Sequence, residues 1–103
     1  MNKRTFMALL ISAIVGNFSG AAYAETVTIG KPIEVFADPS DVVIGLDAAG
    51  SCGSKFFHIQ RANTNFKEFT AVILTAYSSG KSLRLFVASC SGDRNILSHG
   101  STF

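Results

Sequence analysis

Residues 65–88 read NFKEFTAVILTAYSSGKSLRLFVA, and the fold follows from this stretch. Its first part has apolar residues at offsets 0, 3, 7, 10 and 11, which places them on one stripe of an α-helix, the face expected to be buried. They are Phe66, Phe69, Ile73, Ala76 and Tyr77. Gly80 supplies the left-handed residue that commonly ends a helix. The pattern then changes to alternation, with Leu83, Leu85 and Val87 on one face, which predicts a strand over residues 82–88.

The start of the predicted helix carries a capping signal. Asn65 can accept a hydrogen bond from the first turn, and Glu68 follows three residues later. This is the spacing of a capping box, with Asn in place of the usual Ser or Thr. We therefore expect the helix to begin directly after Asn65.

Short β-branched and aromatic segments lie on both sides of this stretch. Residues 26–37 predict a first strand that Gly30-Lys31-Pro32 can break, and residues 42–46 and 56–60 predict the second and third. Between the first two, Asp38-Pro39-Ser40-Asp41 has the chemistry of a type I turn. After the fourth strand, residues 91–98 predict a turn followed by the start of a fifth strand. The predicted order is β-β-β-α-β-β.

Five strands with a helix between the third and fourth are the topology of the OB-fold, a small Greek-key barrel. An open α+β sheet has the same element order, so both architectures remain open at this point. No repeat or linker divides residues 25–103, which predicts a single domain. We expect a small β-rich α+β fold, OB-fold-like, with one helix and five strands.

Residues 1–24 have the parts of a signal peptide. Basic residues near the start are followed by the apolar residues 6–15, and an A-x-A pattern ends at Ala24. The apolar run is about ten residues, whereas a membrane-spanning helix needs roughly 20. We expect cleavage before Glu25, a secreted or periplasmic mature chain, and no membrane span after cleavage.

Loss of the leader changes the charge balance. The whole chain has nine Lys and Arg against seven Asp and Glu, and Lys3 and Arg4 leave with the leader, so the mature charge is zero. The remaining charges are interspersed, whereas a surface that binds phosphate backbones carries a basic excess. Nucleic acid is therefore not an expected partner.

Cys52 and Cys90 both lie in the mature part of an exported chain, where such a pair normally oxidises. Closing a loop of about 38 residues stabilises the fold by roughly 4 kcal/mol. The chain has no C-x-x-C motif, and His58 and His99 lack the spacing of metal ligands. We expect one disulfide, no metal site and no cofactor.

Residues that could carry catalysis are few. His58 lies in an apolar strand segment and is expected to be partly buried with hydrogen bonds to backbone, and His99 is expected at the surface. No set of nucleophile, base and orienting group stands out, so we do not expect an enzyme. Strand alternation can place the rings of Phe36, Phe56 and Phe86 outside, where aromatic rings stack on sugars or bases. Their burial in the core or at a subunit interface is the alternative.

The sequence NFKE at residues 65–68, followed after eight residues by YSSGKSLRL at residues 77–85, resembles the B subunits of subtilase cytotoxin and of typhoid toxin, which is a pertussis-like toxin. The resemblance lies chiefly over residues 65–87. Its marks are an aromatic residue near the helix start, here Phe66, a Tyr-Ser/Thr-x-Gly helix end, and an arginine on the next strand, here Arg84.

This resemblance implies an OB-fold subunit that assembles as a homopentamer, binds glycans on host cells and carries a separate enzymatic A subunit. In one alignment Ser40 and Asp41 match the segment where such subunits have a sugar-binding serine, and in another they are ordinary turn residues. We therefore expect an exported, non-enzymatic protein that binds a host glycan or protein. The alternative is a monomeric periplasmic structural or inhibitory domain that binds only protein.

Overall fold

The computed structural model describes residues 24–103, so the predicted signal peptide, except for Ala24, lies outside the described residues. Within this range the chain forms six strands and one helix: β1 Thr26–Gly30, β2 Pro32–Ala37, β3 Asp41–Leu46, β4 Phe56–Gln60, α1 Phe66–Ser79, β5 Leu83–Ser91 and β6 Arg94–Thr102. In this part of the chain, no helix has the length and apolar character needed to cross a membrane. The fold is a small, β-rich α+β structure, as expected.

The six strands form one mixed sheet in the order β1-β5-β6-β4-β3-β2. Neighbouring strands are antiparallel except β4 and β6, which run parallel. β1 and β2 lie at opposite ends of this order although a single residue, Lys31, separates them in the chain. The two ends of the sheet therefore meet at Lys31.

The sequence predicted five strands, and the structure has six because the first one divides at Lys31. The backbone N–H of Lys31 donates to Asp47 Oδ1 at 2.8 Å, and its carbonyl accepts from the N–H of Asp47 at 3.0 Å. Both of its backbone groups therefore bond outside the strand ladders. Pro32 has no N–H to offer. Gly30 pairs with β5, whereas Pro32 pairs with β3.

The alternation predicted for β5 is confirmed, because Leu83, Leu85 and Val87 are fully buried. On β4, Phe57 and Ile59 are fully buried. The core cluster joins these side chains to others from β3, β6 and α1: Ile44, Leu46, Phe69, Ile73, Ala76 and Leu97. The opposite faces of β4 and β6 point away from this cluster, as does Asp41 at the start of β3, and these side chains are at least partly exposed.

α1 packs on the core through Phe69, Ile73 and Ala76. The prediction that Tyr77 belongs to the buried face was wrong, because this residue is 46% exposed. At about 100° per residue, Tyr77 and Phe66 point in nearly the same direction, at the margin of the stripe. Gly80 ends the helix with φ of 70°, which confirms the predicted left-handed residue.

The predicted side-chain cap of α1 was also wrong. Asn65 precedes the helix, but its side chain makes no capping hydrogen bond. Its Nδ2 donates instead to the carbonyl of Ser98 at 3.1 Å, and Nδ2 of Asn63 donates to the carbonyl of Leu97 at 3.2 Å. These two carbonyls follow the short segment in which β6 pairs with β4. The side-chain amides of Asn63 and Asn65 therefore bond two β6 carbonyls that lie beyond the residues paired with β4.

The predicted disulfide is present, with an S–S distance of 2.00 Å between Cys52 and Cys90. Fully buried Asn95 fixes the loop that carries Cys52. Its Oδ1 accepts from the N–H of Cys52 at 2.9 Å, and its Nδ2 donates to the carbonyls of Ser54 and Phe56 at 3.0 and 2.8 Å. One buried amide thus satisfies three backbone groups of residues 52–56, which lead into β4.

Both predicted turns join neighbouring strands. Residues 38–40 connect β2 to β3, and the N–H of Asp38 donates to the carbonyl of Asp41 at 2.7 Å. Gly92 lies between β5 and β6 with φ of 62°, a conformation that favours glycine. These turns place the first residues of β3 and β6, where two of the candidate site residues lie.

Candidate functional site

The outer faces of β3, β4 and β6 carry a polar cluster. Asp41 begins β3, His58 is the middle residue of β4, and Arg94 begins β6. β3 and β4 pair Val43 with His58, and β4 and β6 pair His58 with Ile96. Because side chains alternate along a strand, residues 41, 58 and 94 project from the same side of the sheet.

His58 joins the two charged side chains of this cluster. Its Nδ1 lies 2.7 Å from Asp41 Oδ2, and its Nε2 lies 2.9 Å from Nη1 of Arg94. A guanidinium can only donate, so Nε2 accepts and the ring proton on Nδ1 is donated to Asp41. The side chains of His58 and Asp41 are 12% and 16% exposed. Hydrogen bonds to charged groups are short and strong in such surroundings, so this network fixes all three side chains.

Arg94 also contacts an aromatic pair. Its Cζ lies 4.7 Å from the centroid of the Phe56 ring, which is cation–π distance. Phe56 in turn contacts Phe36 edge to face, with centroids 6.4 Å apart. Asp93 lies 3.9 Å from Nε of Arg94, but an exposed pair of this kind contributes little. The Arg94 side chain is 40% exposed, so it is held by His58 and Phe56 while remaining accessible to a ligand.

Two adjoining cavities open on this face. The smaller, of about 300 Å³, is lined by Asp41, His58 and Arg94 among others. The larger, of about 440 Å³, lies toward the start of α1. Three residues line both cavities: Gln60, Ser89 and Ile96. We call the two cavities together the cleft.

Of the two predicted ligand-binding residues, Asp41 lies in the cluster and Ser40 lies beside it. Ser40 belongs to the exposed connection between β2 and β3, and its carbonyl accepts from the N–H of Arg61 at 2.9 Å. It is not among the residues that line the cleft. A role for the Ser40 hydroxyl in ligand binding stays a prediction.

The prediction for His58 was right about burial and wrong about its partners, which are the side chains of Asp41 and Arg94 instead of backbone groups. His99 is exposed, as expected, and its ring stacks on Phe86 with centroids 4.1 Å apart. The rings of Phe36, Phe56 and Phe86 all lie on outer strand faces. Phe86 is outside the cleft, whereas Phe56 contacts its arginine.

Gln60 and Arg94 are among the residues of the cleft that sequence reasoning did not assign to a site. Gln60 could have been found, because alternation along β4 places it on the same face as His58. Arg94 could not, because its position depends on the parallel pairing of β4 with β6, two strands separated by the helix. No local pattern reports that pairing.

Arg84, the arginine singled out by the resemblance, is not a residue of the cleft. It lies on the outer face of β5, where its Cζ is 4.6 Å from the centroid of the Phe103 ring. Its Nη1 donates to the hydroxyl of Ser101 at 3.4 Å. Arg84 and Arg94 thus each pack on a phenylalanine ring, but only Arg94 lines the cleft.

Residues 24–103 contain no group of three or more His, Cys, Asp and Glu side chains that could hold a metal ion. The charged side chains of Asp41 and Arg94 are instead hydrogen-bonded to His58. This arrangement is compatible with a site for an organic ligand.

Comparisons with protein-family models, with curated proteins and with solved structures find no match to this chain.

Proposed function

We propose that the mature chain is an exported, non-enzymatic protein that binds carbohydrate in the cleft. The observation that carries this proposal is the hydrogen-bonded network of Asp41, His58 and Arg94 at the smaller cavity. It offers a carboxylate acceptor and guanidinium donors at fixed positions, which suits a ligand rich in hydroxyl groups. Phe56 packs on the Arg94 guanidinium and helps to hold this donor at the smaller cavity, whereas Ile96 is the apolar side chain in the lining that the C–H groups of a sugar can contact.

Binding without catalysis is supported by how the reactive groups are used. Both ring nitrogens of His58 are occupied, one by Asp41 and one by Arg94, so the imidazole has no free nitrogen to take a proton from a substrate. Cys52 and Cys90 are joined to each other and are not nucleophiles. The cluster therefore favours recognition over acid–base chemistry.

An OB-fold barrel is the architecture that we propose for the sheet. Three observations support it: β1 and β2 meet at Lys31 from opposite ends of the strand order, β4 and β6 run parallel, and α1 lies between β4 and β5. Counting β1 and β2 as one bent strand restores the five strands of that fold. This topology agrees with the resemblance to toxin B subunits.

Export to the periplasm or beyond is part of the proposal. The disulfide supports it, because such bonds persist in oxidising compartments. The basic and apolar parts of residues 1–24 match a signal for export, and the A-x-A pattern ending at Ala24 matches its cleavage site. A glycan on a host cell is the ligand that the resemblance implies.

Assembly into a homo-oligomer is supported by apolar side chains exposed on two parts of the chain. Val27 and Ile29 of β1 are 50% and 52% exposed, and Leu74 and Tyr77 of α1 are 48% and 46% exposed. Two different apolar surfaces on one chain suit a head-to-tail contact, which can close into a ring. A ring of five that carries an enzymatic subunit is the form implied by the resemblance.

The second candidate function is a monomeric periplasmic domain that binds protein, in a structural or inhibitory role. An apolar groove of about 350 Å³ between β2 and α1, lined by Phe36, Phe66 and Leu74 among others, favours it.

Light scattering on the oxidised chain 25–103 separates the candidates. A mass about five times that of the chain supports the toxin-subunit form, and a monomer supports the second candidate.

A glycan array probed with the oxidised chain 25–103 tests the proposed function. We expect defined glycans to be bound, and we expect Arg94→Gln to lose that binding because it removes the charged donor of the smaller cavity. Arg84→Gln is the matched control, since Arg84 is also half-buried and packs on a Phe ring outside the cleft. Absence of glycan binding, or equal losses in both variants, would contradict the proposal.

A further inference from the structure

We propose that the ligand of the cleft is an oligosaccharide of at least two units, with an uncharged unit in the larger cavity. This inference rests on the proposed function. The cavities measure about 440 and 300 Å³ and share the wall formed by Gln60, Ser89 and Ile96. Small-molecule sites span about 300–1,000 Å³, so each cavity alone is near the small end of that range. A ligand that uses the whole cleft must cross the shared wall.

The larger cavity has groups that suit hydroxyl-bearing ligands. Asn63 and Asn65 line it, and each uses its Nδ2 to bond a carbonyl of β6. These bonds fix the orientation of both amides. The two Oδ1 atoms are then the side-chain acceptors left for a ligand, at positions set by the fold.

Charge separates the two cavities. Every side chain that lines the larger cavity is uncharged, whereas Asp41, His58 and Arg94 lie at the smaller one. At the edge of the larger cavity, the hydroxyl of Ser98 bonds the carboxylate of Glu25. Among residues 24–103, no Lys or Arg side chain lines the larger cavity, so an anionic unit there would find no side-chain cation in the lining with which to pair. The lining offers only neutral hydrogen-bonding groups, which suits an uncharged unit.

The shared wall gives the linkage between units a suitable surface. Gln60 and Ser89 are exposed there, and Ile96 is half-buried. An amide and a hydroxyl can bond a glycosidic oxygen or a neighbouring hydroxyl, and Ile96 offers an apolar contact. The shared wall thus offers both polar and apolar contacts to a linkage that runs from one cavity to the other.

Calorimetric titration with synthetic oligosaccharides of one to four pyranose units, sharing the terminal unit bound on the array, tests this inference. We expect affinity to rise about tenfold or more from one unit to two, which corresponds to about 1.4 kcal/mol. Thr64→Trp fills the larger cavity from an exposed position and should abolish the rise while keeping one-unit binding. Thr75→Trp, the same change on the exposed surface of α1, should behave as wild type.

The side-chain amide signals of Asn63 and Asn65 in ¹H–¹⁵N spectra give a second readout. They should shift with the two-unit ligand and stay unmoved with the one-unit ligand. Equal affinity for one and two units, with binding still lost in Arg94→Gln, would overturn the inference and leave the proposed function standing. Failure of every length to bind would overturn both.

Discussion

The imidazole of His58 joins the carboxylate of Asp41 to the guanidinium of Arg94 by one donated and one accepted hydrogen bond. Asp41 is poorly solvated at that contact, since its side chain is only 16% exposed, whereas the side chain of Arg94 is 40% exposed. Removing the imidazole would leave two charged groups without their partner. The free energy lost in this way exceeds the net contribution of the two hydrogen bonds, because a buried polar group that keeps its place without a partner is bonded neither to the protein nor to water.

The change His58→Phe tests this network through stability. We expect the free energy of unfolding to fall by about 1–3 kcal/mol, because a ring of similar size replaces both hydrogen bonds with none. Urea denaturation of the oxidised protein measures it. In His99→Phe the side chain is about half exposed and the stacking on Phe86 is kept, so its change should stay within about 0.5 kcal/mol. Equal effects in the two variants would show that His58 is not buried in a bonded network.

Among the elements, α1 and β5 follow most directly from sequence, because the apolar residues of α1 recur with the period of a helix and those of β5 recur with the period of a strand. The end of α1 at Gly80 and the inward residues of β5 needed no knowledge of distant contacts. A break at Lys31 was allowed by the sequence, but the contacts that hold Lys31 and the role of Asn65 did need such knowledge, since they depend on Asp47 and on the edge of β6. The same is true of the site: Asp41 came from the resemblance, whereas Arg94 required the β4–β6 pairing.

The end of α1 provides a test at the scale of the element. Gly80 has φ of 70°, and a Cβ added there would meet nothing within 4 Å, so Gly80→Ala adds backbone strain without a clash. We expect a loss of about 1–2 kcal/mol in the free energy of unfolding. Thermal or urea unfolding followed by circular dichroism measures it. Lys81→Ala, at the exposed next residue, should lie within about 0.5 kcal/mol of wild type, and a Gly80→Ala variant as stable as this control would contradict the assigned helix end.

Across the whole molecule, closure depends on two features far apart in sequence. β1 and β2 bring the ends of the sheet together at Lys31, and the disulfide ties the segment before β4 to the end of β5. Cys90 also lines the smaller cavity, so the covalent link lies against the proposed site. A domain of this size has a small core, and a cross-link therefore makes up a large part of its stability.

Reduction of the disulfide should destabilise the chain 25–103 strongly. With the cysteines 38 positions apart in the sequence, the expected loss is about 4 kcal/mol, because the unfolded chain regains the freedom that the loop had removed. Unfolding measured with and without reductant gives the difference. The double variant Cys52→Ser with Cys90→Ser should be insensitive to reductant. Similar stability of the oxidised and reduced chains would mean that the core alone holds the fold.

The most direct test of carbohydrate binding in the cleft is a crystal structure of the oxidised chain 25–103 with the glycan selected on the array. We predict one sugar unit against Arg94 and Ile96, with His58 still bonded to Asp41, and the next unit beyond Gln60 toward Asn63 and Asn65. A glycan bound on the outer face of β1 and β5, or on α1, with the cleft empty, would contradict it.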